Sequence, residues 1–109
     1  METIAVVLSV KAAMVAEFEA GFRAHELPIW RDFAGRGVLL RASLSRMDIS
    51  SQPVDGSTQY LIVAVFADGE GHHLHDHDPR FKAWNEMADV FQVTDGMAFG
   101  GATIEHVDG

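Results

Sequence analysis

The sequence contains no cysteine, and that absence removes several kinds of chemistry at once. A chain without thiols forms no disulfides, holds no metal through thiolates and has no cysteine nucleophile. It also lacks any run of the roughly 18 to 20 apolar residues that a membrane helix needs, and its first residues lack the basic start of a signal peptide. We therefore predict a cytoplasmic protein that does not insert into a membrane.

Basic residues are scarce as well. The chain has 8 lysines and arginines against 16 acidic residues, which gives a formal net charge of −8. Four arginines are close in sequence, but acidic residues are interspersed among them: Arg31, Arg36, Arg41 and Arg46. Nucleic acids and anionic lipids repel a protein of this charge unless it carries a local basic patch. We therefore predict no binding to nucleic acid or to a membrane surface.

The length and composition are those of one small globular domain. With 109 residues, of which 48% are hydrophobic, the chain can bury a core and lies in the usual size range of single domains. We find no internal repeat, low-complexity tract or linker that would divide it. The sequence therefore predicts a single domain over residues 1–109.

Turn signals and hydrophobic periodicity divide the chain into strands and helices. The predicted strands are 3–10, 38–47, 58–67 and 97–107, and the predicted loops are 48–57 and 68–77. A first helix is predicted from Lys11 to about Glu26, with a second helical piece starting at Pro28, because proline removes a backbone donor. A last helix begins at Pro79 and runs to about residue 93, since Asp78 can cap its free N–H groups.

The order β-α-β-β-α-β is the split pattern of the ferredoxin-like fold, so we predict an α+β protein with two helices on one face of the sheet. If the other face met water, its strands would alternate apolar and polar residues. Residues 61–67 are instead apolar throughout, as are residues 4–8. A second copy of the chain is the simplest cover, so we predict a homodimer. The alternative cover, the loop 48–57 or a terminus, is too short and polar.

Two helical segments then resemble a known family. The first helix ends in the residues His-Glu-Leu-Pro-Ile-Trp (25–30), and the last helix opens with Asp-Pro-Arg-Phe-Lys-Ala-Trp (78–84). Together with the element order and the chain length, they resemble the dimeric α/β-barrel superfamily, and within it the antibiotic-biosynthesis-monooxygenase-like proteins. This superfamily includes cofactor-free monooxygenases of aromatic polyketides, haem-degrading enzymes, lactone isomerases and cyclases. The resemblance implies a ligand pocket between the sheet and the helices of each subunit.

Two histidines are the candidate catalytic bases. The apolar stripe of the first helix passes through Phe22, then His25 or Glu26, then Ile29. An imidazole on this stripe could act as a base, although a packed histidine bonded to a carbonyl or carboxylate is the alternative. His77 directly precedes the last helix, whose positive N-terminal dipole disfavours an imidazolium. A neutral imidazole there could accept a proton.

The segment 72–77 is unusually rich in histidine, with His72, His73, His75 and His77. Together with Asp76 and Asp78 these are ligand types that suit zinc or nickel, but the spacing matches no known zinc site. We therefore predict only weak, accidental metal binding. Haem-degrading relatives supply an axial histidine from their second helix, and here that helix holds no histidine after Asp78. We predict that the protein uses no cofactor.

The remaining candidates would bind and orient a ligand. The predicted substrate-binding residues are Tyr60, Trp84, Arg41, Phe22 and Phe81. Core packing is the alternative role for the aromatic residues on the helical stripes, and a dimer salt bridge is the alternative for Arg41. The residues indicate a small, mostly apolar, aromatic ligand, and the resemblance implies cofactor-independent monooxygenation of a polyketide-like substrate. A non-enzymatic ligand-binding or structural dimer is the alternative, followed by a haem-binding or haem-degrading protein.

Overall fold

The computed structural model describes residues 1–109, which form a four-stranded antiparallel sheet with helices on one face. The elements are β1 (Glu2–Lys11), α1 (Val15–Gly35), β2 (Leu39–Arg46), β3 (Ser57–Phe66), α2 (Gly71–Asp76), α3 (Pro79–Ala88) and β4 (Met97–Ala102). The strand order across the sheet is β2-β3-β1-β4. The predicted α+β, ferredoxin-like fold is confirmed, and α2 is an additional short helix within it.

The two central strands, β1 and β3, set the geometry of the core. They pair over ten positions, from Glu2 opposite Phe66 to Lys11 opposite Ser57. Because side chains alternate along a strand, one face of this pair points toward the helices. Two groups of buried side chains fill that space, one around Phe18, Phe22, Tyr60 and Trp84, the other around Ile29, Phe33, Leu39 and Phe66.

The predicted break at Pro28 is wrong, because α1 is continuous from Val15 to Gly35 after a 3-10 turn at Ala12–Met14. Proline removes the hydrogen bond to the carbonyl of the residue four positions earlier, which is Ala24 here. Both Pro28 and Ala24 lie on the exposed face of the helix. Water can reach the released carbonyl there, so the helix tolerates the proline without ending.

The prediction of a loop over 68–77 is wrong for part of that segment, because residues Gly71–Asp76 form the helix α2. This helix has no apolar stripe that a sequence pattern could reveal, since its one large apolar residue, Leu74, is 53% exposed. Its buried residue is Gly71, which lies directly against the ring of Phe66. Tertiary contacts therefore hold this helix in place.

Two element ends also differ from the prediction. Helix α3 ends at Ala88 and continues as a 3-10 turn over Asp89–Phe91, because the backbone N–H of Val93 donates instead to the carbonyl of Ser9 on β1. Strand β4 ends at Ala102, opposite Glu2 at the start of β1, and one more backbone bond follows it, from the N–H of Thr103 to the carbonyl of Met1. The predicted cap of α3 is confirmed: the side chain of Asp78 accepts from the Arg80 N–H at 2.8 Å.

The sheet face opposite the helices is apolar along its centre. Half-buried Val7, Val63 and Val65 lie there by strand alternation, next to Phe99, which is 61% exposed. The loop after β2 covers one end of this face, where Gln59 donates to the carbonyl of Gln52. The middle of the face stays open. None of the helices is long and apolar enough to cross a membrane.

Candidate functional site

A cavity of about 200 Å³ lies between the sheet and the helices. The inner faces of β1 and β3 form its floor, α1 and α3 form its walls, and residues of α2 close one end. Its aromatic lining consists of Phe18, Phe22, Trp30, Phe66, Phe81 and Trp84. A small number of polar side chains also reach the cavity: Glu26, His72, His75, Asp76, Asn85 and Gln92. An apolar chamber with few polar groups is the usual form of a small-molecule site.

The central polar feature of this cavity is a pair formed by Glu26 and His75. The Nε2 atom of His75 lies 2.5 Å from Oε1 of Glu26, and its Nδ1 atom lies 3.0 Å from Oδ1 of Asp76. Glu26 is only 4% exposed. The pair joins α1 to α2, so the short helix carries one half of a buried acid–base pair.

The electrostatics of the pair favour a charged imidazole. Burial of His75 opposes the charge and lowers its pKa, but hydrogen bonds to Asp76 and Glu26 and the negative charges of both carboxylates outweigh this effect. The net result raises the pKa of His75 to about 9. At neutral pH, His75 is therefore an imidazolium that holds one oxygen of Glu26.

The second oxygen of Glu26 has no partner. Oε2 is buried and accepts no hydrogen bond from any protein group. A buried acceptor without a donor costs roughly 1 to 3 kcal/mol. Since Glu26 lines the cavity, a ligand hydroxyl placed there would remove this cost.

The sequence contained a signal for Glu26 but none for the pair. Glu26 lies four residues after Phe22 and three before Ile29, so the helical period turns it toward the core with these two residues. The stripe position was predicted as either His25 or Glu26, and the structure places Glu26 inside. His75 could not be found this way, because its segment was predicted to be a loop.

Three predicted ligand-binding residues line the cavity, and two lie elsewhere. Phe22, Phe81 and Trp84 form part of the aromatic wall. Tyr60 is buried beside it and donates its hydroxyl to Oε2 of Glu19 at 2.5 Å, while burial raises the pKa of its phenol. Arg41 is exposed and donates to Asp108 at 2.9 Å. The ligand-orienting roles given to these residues stay predictions.

Both candidate bases lie outside the cavity. His25 is exposed, and its ring stacks on Trp84 with centroids 5.5 Å apart, so it covers the outer side of a cavity residue. His77 is exposed at the end of α2, where its Nδ1 atom lies 2.7 Å from the carbonyl oxygen of His73. Their predicted catalytic roles remain untested, but neither imidazole reaches the cavity in this arrangement.

Helix α2 directs its histidines to different partners. The Nδ1 atom of His72 lies 2.5 Å from Oε1 of Glu2 at the start of β1, whereas His75 turns to Glu26. No group of three histidine or carboxylate side chains converges in a geometry that could hold a metal ion. A haem does not fit the cavity of about 200 Å³ either, since an apolar cavity of about 150 Å³ takes only a molecule of the size of benzene.

The helix-covered antiparallel sheet, with a cavity beneath the helices, defines the class as ferredoxin-like α+β proteins. No family model matches the sequence, and no curated protein does. The likeness lies in solved structures, and it confirms the fold that the resemblance implied.

Three of these structures show how far the likeness reaches. A Deinococcus radiodurans protein assigned to the antibiotic biosynthesis monooxygenases is 21% identical, with a TM-score of 0.70 over 99% of this chain and 97% of that one. SnoaB, a cofactor-independent oxygenase from Streptomyces nogalater, is 18% identical, with a TM-score of 0.69 over 97% of this chain and 95% of SnoaB. A Nitrosomonas europaea protein with the same assignment is 14% identical, with a TM-score of 0.74 over 96% and 100%.

Proposed function

We propose that this protein binds a small, mostly apolar phenol in its internal cavity and oxygenates it without a cofactor, with Glu26 as the base. The observation that carries the proposal is the buried, unpartnered Oε2 of Glu26 in an aromatic chamber. Among proteins of similar structure, SnoaB is a cofactor-independent oxygenase. That likeness supports the reaction class, and the cavity supports the kind of ligand.

The arrangement suits removal of a phenolic proton. A phenol hydroxyl in the cavity would donate to Oε2 of Glu26 while His75 holds Oε1. When the O–H bond breaks, the proton moves to Oε2, and the positive imidazolium nearby stabilises the negative charge on the phenolate. His75 is then a positioning residue that acts through Glu26. A positioned base of this kind typically contributes about 10² to 10⁴ in rate.

The phenolate can supply all the electrons that oxygen requires. An electron-rich anion reduces O₂ directly, and a ring carbon ortho or para to the phenolic oxygen takes up one oxygen atom and loses its hydrogen. The phenol becomes a quinone, and the second oxygen atom leaves as water with the hydroxyl proton and the ring hydrogen. The cavity has only to bind the ring and keep the anion from bulk water.

A panel of phenols tests the proposal. Oxygen uptake would be measured with phenol and 1-naphthol in metal-free buffer, for the wild type and for Glu26→Gln. We expect Glu26→Gln to lose at least about 10²-fold in rate, because the amide cannot take the proton. Binding, followed by quenching of the fluorescence of Trp30 and Trp84, which both line the cavity, should weaken less than the rate does.

The variants His25→Ala and His77→Ala are the matched controls, since both side chains are exposed. Loss of uptake in either one, with Glu26→Gln active, would assign the base to that histidine instead. Phenol binding without uptake in any sample would indicate a non-enzymatic ligand-binding protein. If no phenol binds, the proposal is wrong.

A further inference from the structure

A second polar atom in the cavity lacks a partner. Oε1 of Gln92 is buried and makes no hydrogen bond, as is true of Oε2 of Glu26. These two are the only buried side-chain polar atoms of the protein in this state, and both residues line the same cavity. Buried acceptors are nearly always satisfied in folded proteins, so two in one chamber indicate a ligand with two polar groups.

The two acceptors lie at opposite ends of the chamber. Gln92 bridges to Val10 near the end of β1, and it follows Phe91, whose ring lies 6.2 Å from that of Phe18. Glu26 is two helical turns beyond Phe18 along α1, which is roughly 12 Å at the rise of an α-helix. Helix α2, which holds Glu26 through His75, packs on Phe66 opposite the start of β1. A ligand that reaches both acceptors therefore needs polar groups at opposite ends of its ring system.

The volume of the chamber also limits the size of the ligand. About 200 Å³ exceeds the apolar cavity of about 150 Å³ that takes a benzene ring. It is below the roughly 300 to 1,000 Å³ of sites for drug-sized ligands. One ring or two fused rings match this volume.

We propose that the ligand is a one- or two-ring phenol with a second hydrogen-bond donor at the far end of its ring system, and that Gln92 selects for that donor. This inference rests on the proposed function, since the first hydroxyl is the one that Glu26 receives. Gln92 is a specificity-determining residue in this arrangement, because its amide oxygen accepts from the second group while the aromatic wall holds the rings.

A series of naphthols tests this selection by binding alone. Affinities for 2-naphthol, 2,6-dihydroxynaphthalene and 2,3-dihydroxynaphthalene would be measured by calorimetry without oxygen. We expect the 2,6-isomer to bind about tenfold more tightly than 2-naphthol, as one additional buried hydrogen bond provides. The 2,3-isomer, with both hydroxyls at one end, should show no such gain. A three-ring phenol should bind weakly or not at all.

The variant Gln92→Met keeps the length of the side chain and removes the acceptor. It should bring the ratio of the two affinities, for the 2,6-isomer and for 2-naphthol, close to one, whatever its effect on the affinity for 2-naphthol itself. If 2-naphthol binds but the 2,6-isomer gains nothing in the wild type, this inference is overturned and the proposed function stands. If none of the naphthols binds, the proposed function itself fails. The comparison within the wild type needs no variant to fold.

Discussion

At the scale of the residue, the main feature is that the charged pair of His75 and Glu26 is buried. The side chains are 13% and 5% exposed, so the pair is held away from water. A buried ion pair costs desolvation, and breaking it by removing one partner typically costs about 3 to 5 kcal/mol, because the other charge is left uncompensated. The free carboxylate oxygen in the cavity means that the pair is only partly satisfied by the protein itself.

The raised pKa of His75 predicts a pH-dependent stability. The pKa of His75 is about 9 in the folded protein, against the ordinary imidazole value of 6.5. Its contribution to the free energy of unfolding is therefore fully present below pH 6.5 and is lost as the pH rises through 9. This pKa difference corresponds to a contribution on the order of 3 kcal/mol to the free energy of unfolding.

Urea unfolding of the wild type and of His75→Gln, measured from pH 6 to pH 10, would check this dependence. The glutamine can still form a hydrogen bond but does not titrate, so the difference between the two proteins isolates the imidazole. We expect that difference to shrink as the pH rises. A constant difference across the range would contradict the assigned shift.

At the scale of the element, α2 depends on one close approach. A Cβ atom at Gly71 would lie 2.5 Å from Cδ1 and 2.8 Å from Cβ of Phe66, which is too near the backbone for the ring to move aside. Only glycine lets the helix lie on the sheet at this point. This contact fixes the position of α2, and therefore the position of His75 beside Glu26.

We therefore predict that Gly71→Ala destabilises the protein by about 1 to 3 kcal/mol, the usual cost of overpacking. Gly35→Ala is the matched control, since nothing lies within 4 Å of a Cβ atom there and alanine favours a helix. Urea unfolding measures both, and Gly71→Ala should also weaken phenol binding because it displaces His75. Equal stability of the two variants would show that α2 can shift freely.

At the scale of the whole molecule, the open apolar centre of the sheet predicts a homodimer. Val63 lies at the middle of this face, where its strand neighbour on β2 is Ser43. Pairing two such faces would remove the half-buried valines and the exposed ring of Phe99 from water. We propose this face as the dimer interface.

Light scattering of the purified protein should give about twice the chain mass of 11.9 kDa. We expect Val63→Lys to yield a monomer, because a charge would be buried at the centre of the interface. Ser43→Lys, on the edge strand, should shift the equilibrium less. A wild type that stays monomeric at micromolar concentration would rule the interface out.

Local patterns in the sequence were enough to predict the order of the strands and long helices, the buried stripe of α1 and the capped start at Asp78. Each of these is written in a local pattern, such as a period of two or of 3.6 residues or a capping residue before a proline. The continuity of α1 through Pro28 is not recorded in a local pattern, because it depends on which side of the helix faces water.

The candidate site, in contrast, is formed by contacts between distant parts of the chain. His75 and Glu26 are 49 positions apart, and they meet because α2 packs on Phe66 through Gly71 while α1 turns Glu26 inward. Gln92 enters the same chamber because its segment leaves α3 to bond with β1. Such contacts depend on how elements that are distant in the sequence pack together, and a local periodicity does not predict that packing. The residues were visible in the sequence, but their proximity was a property of the fold.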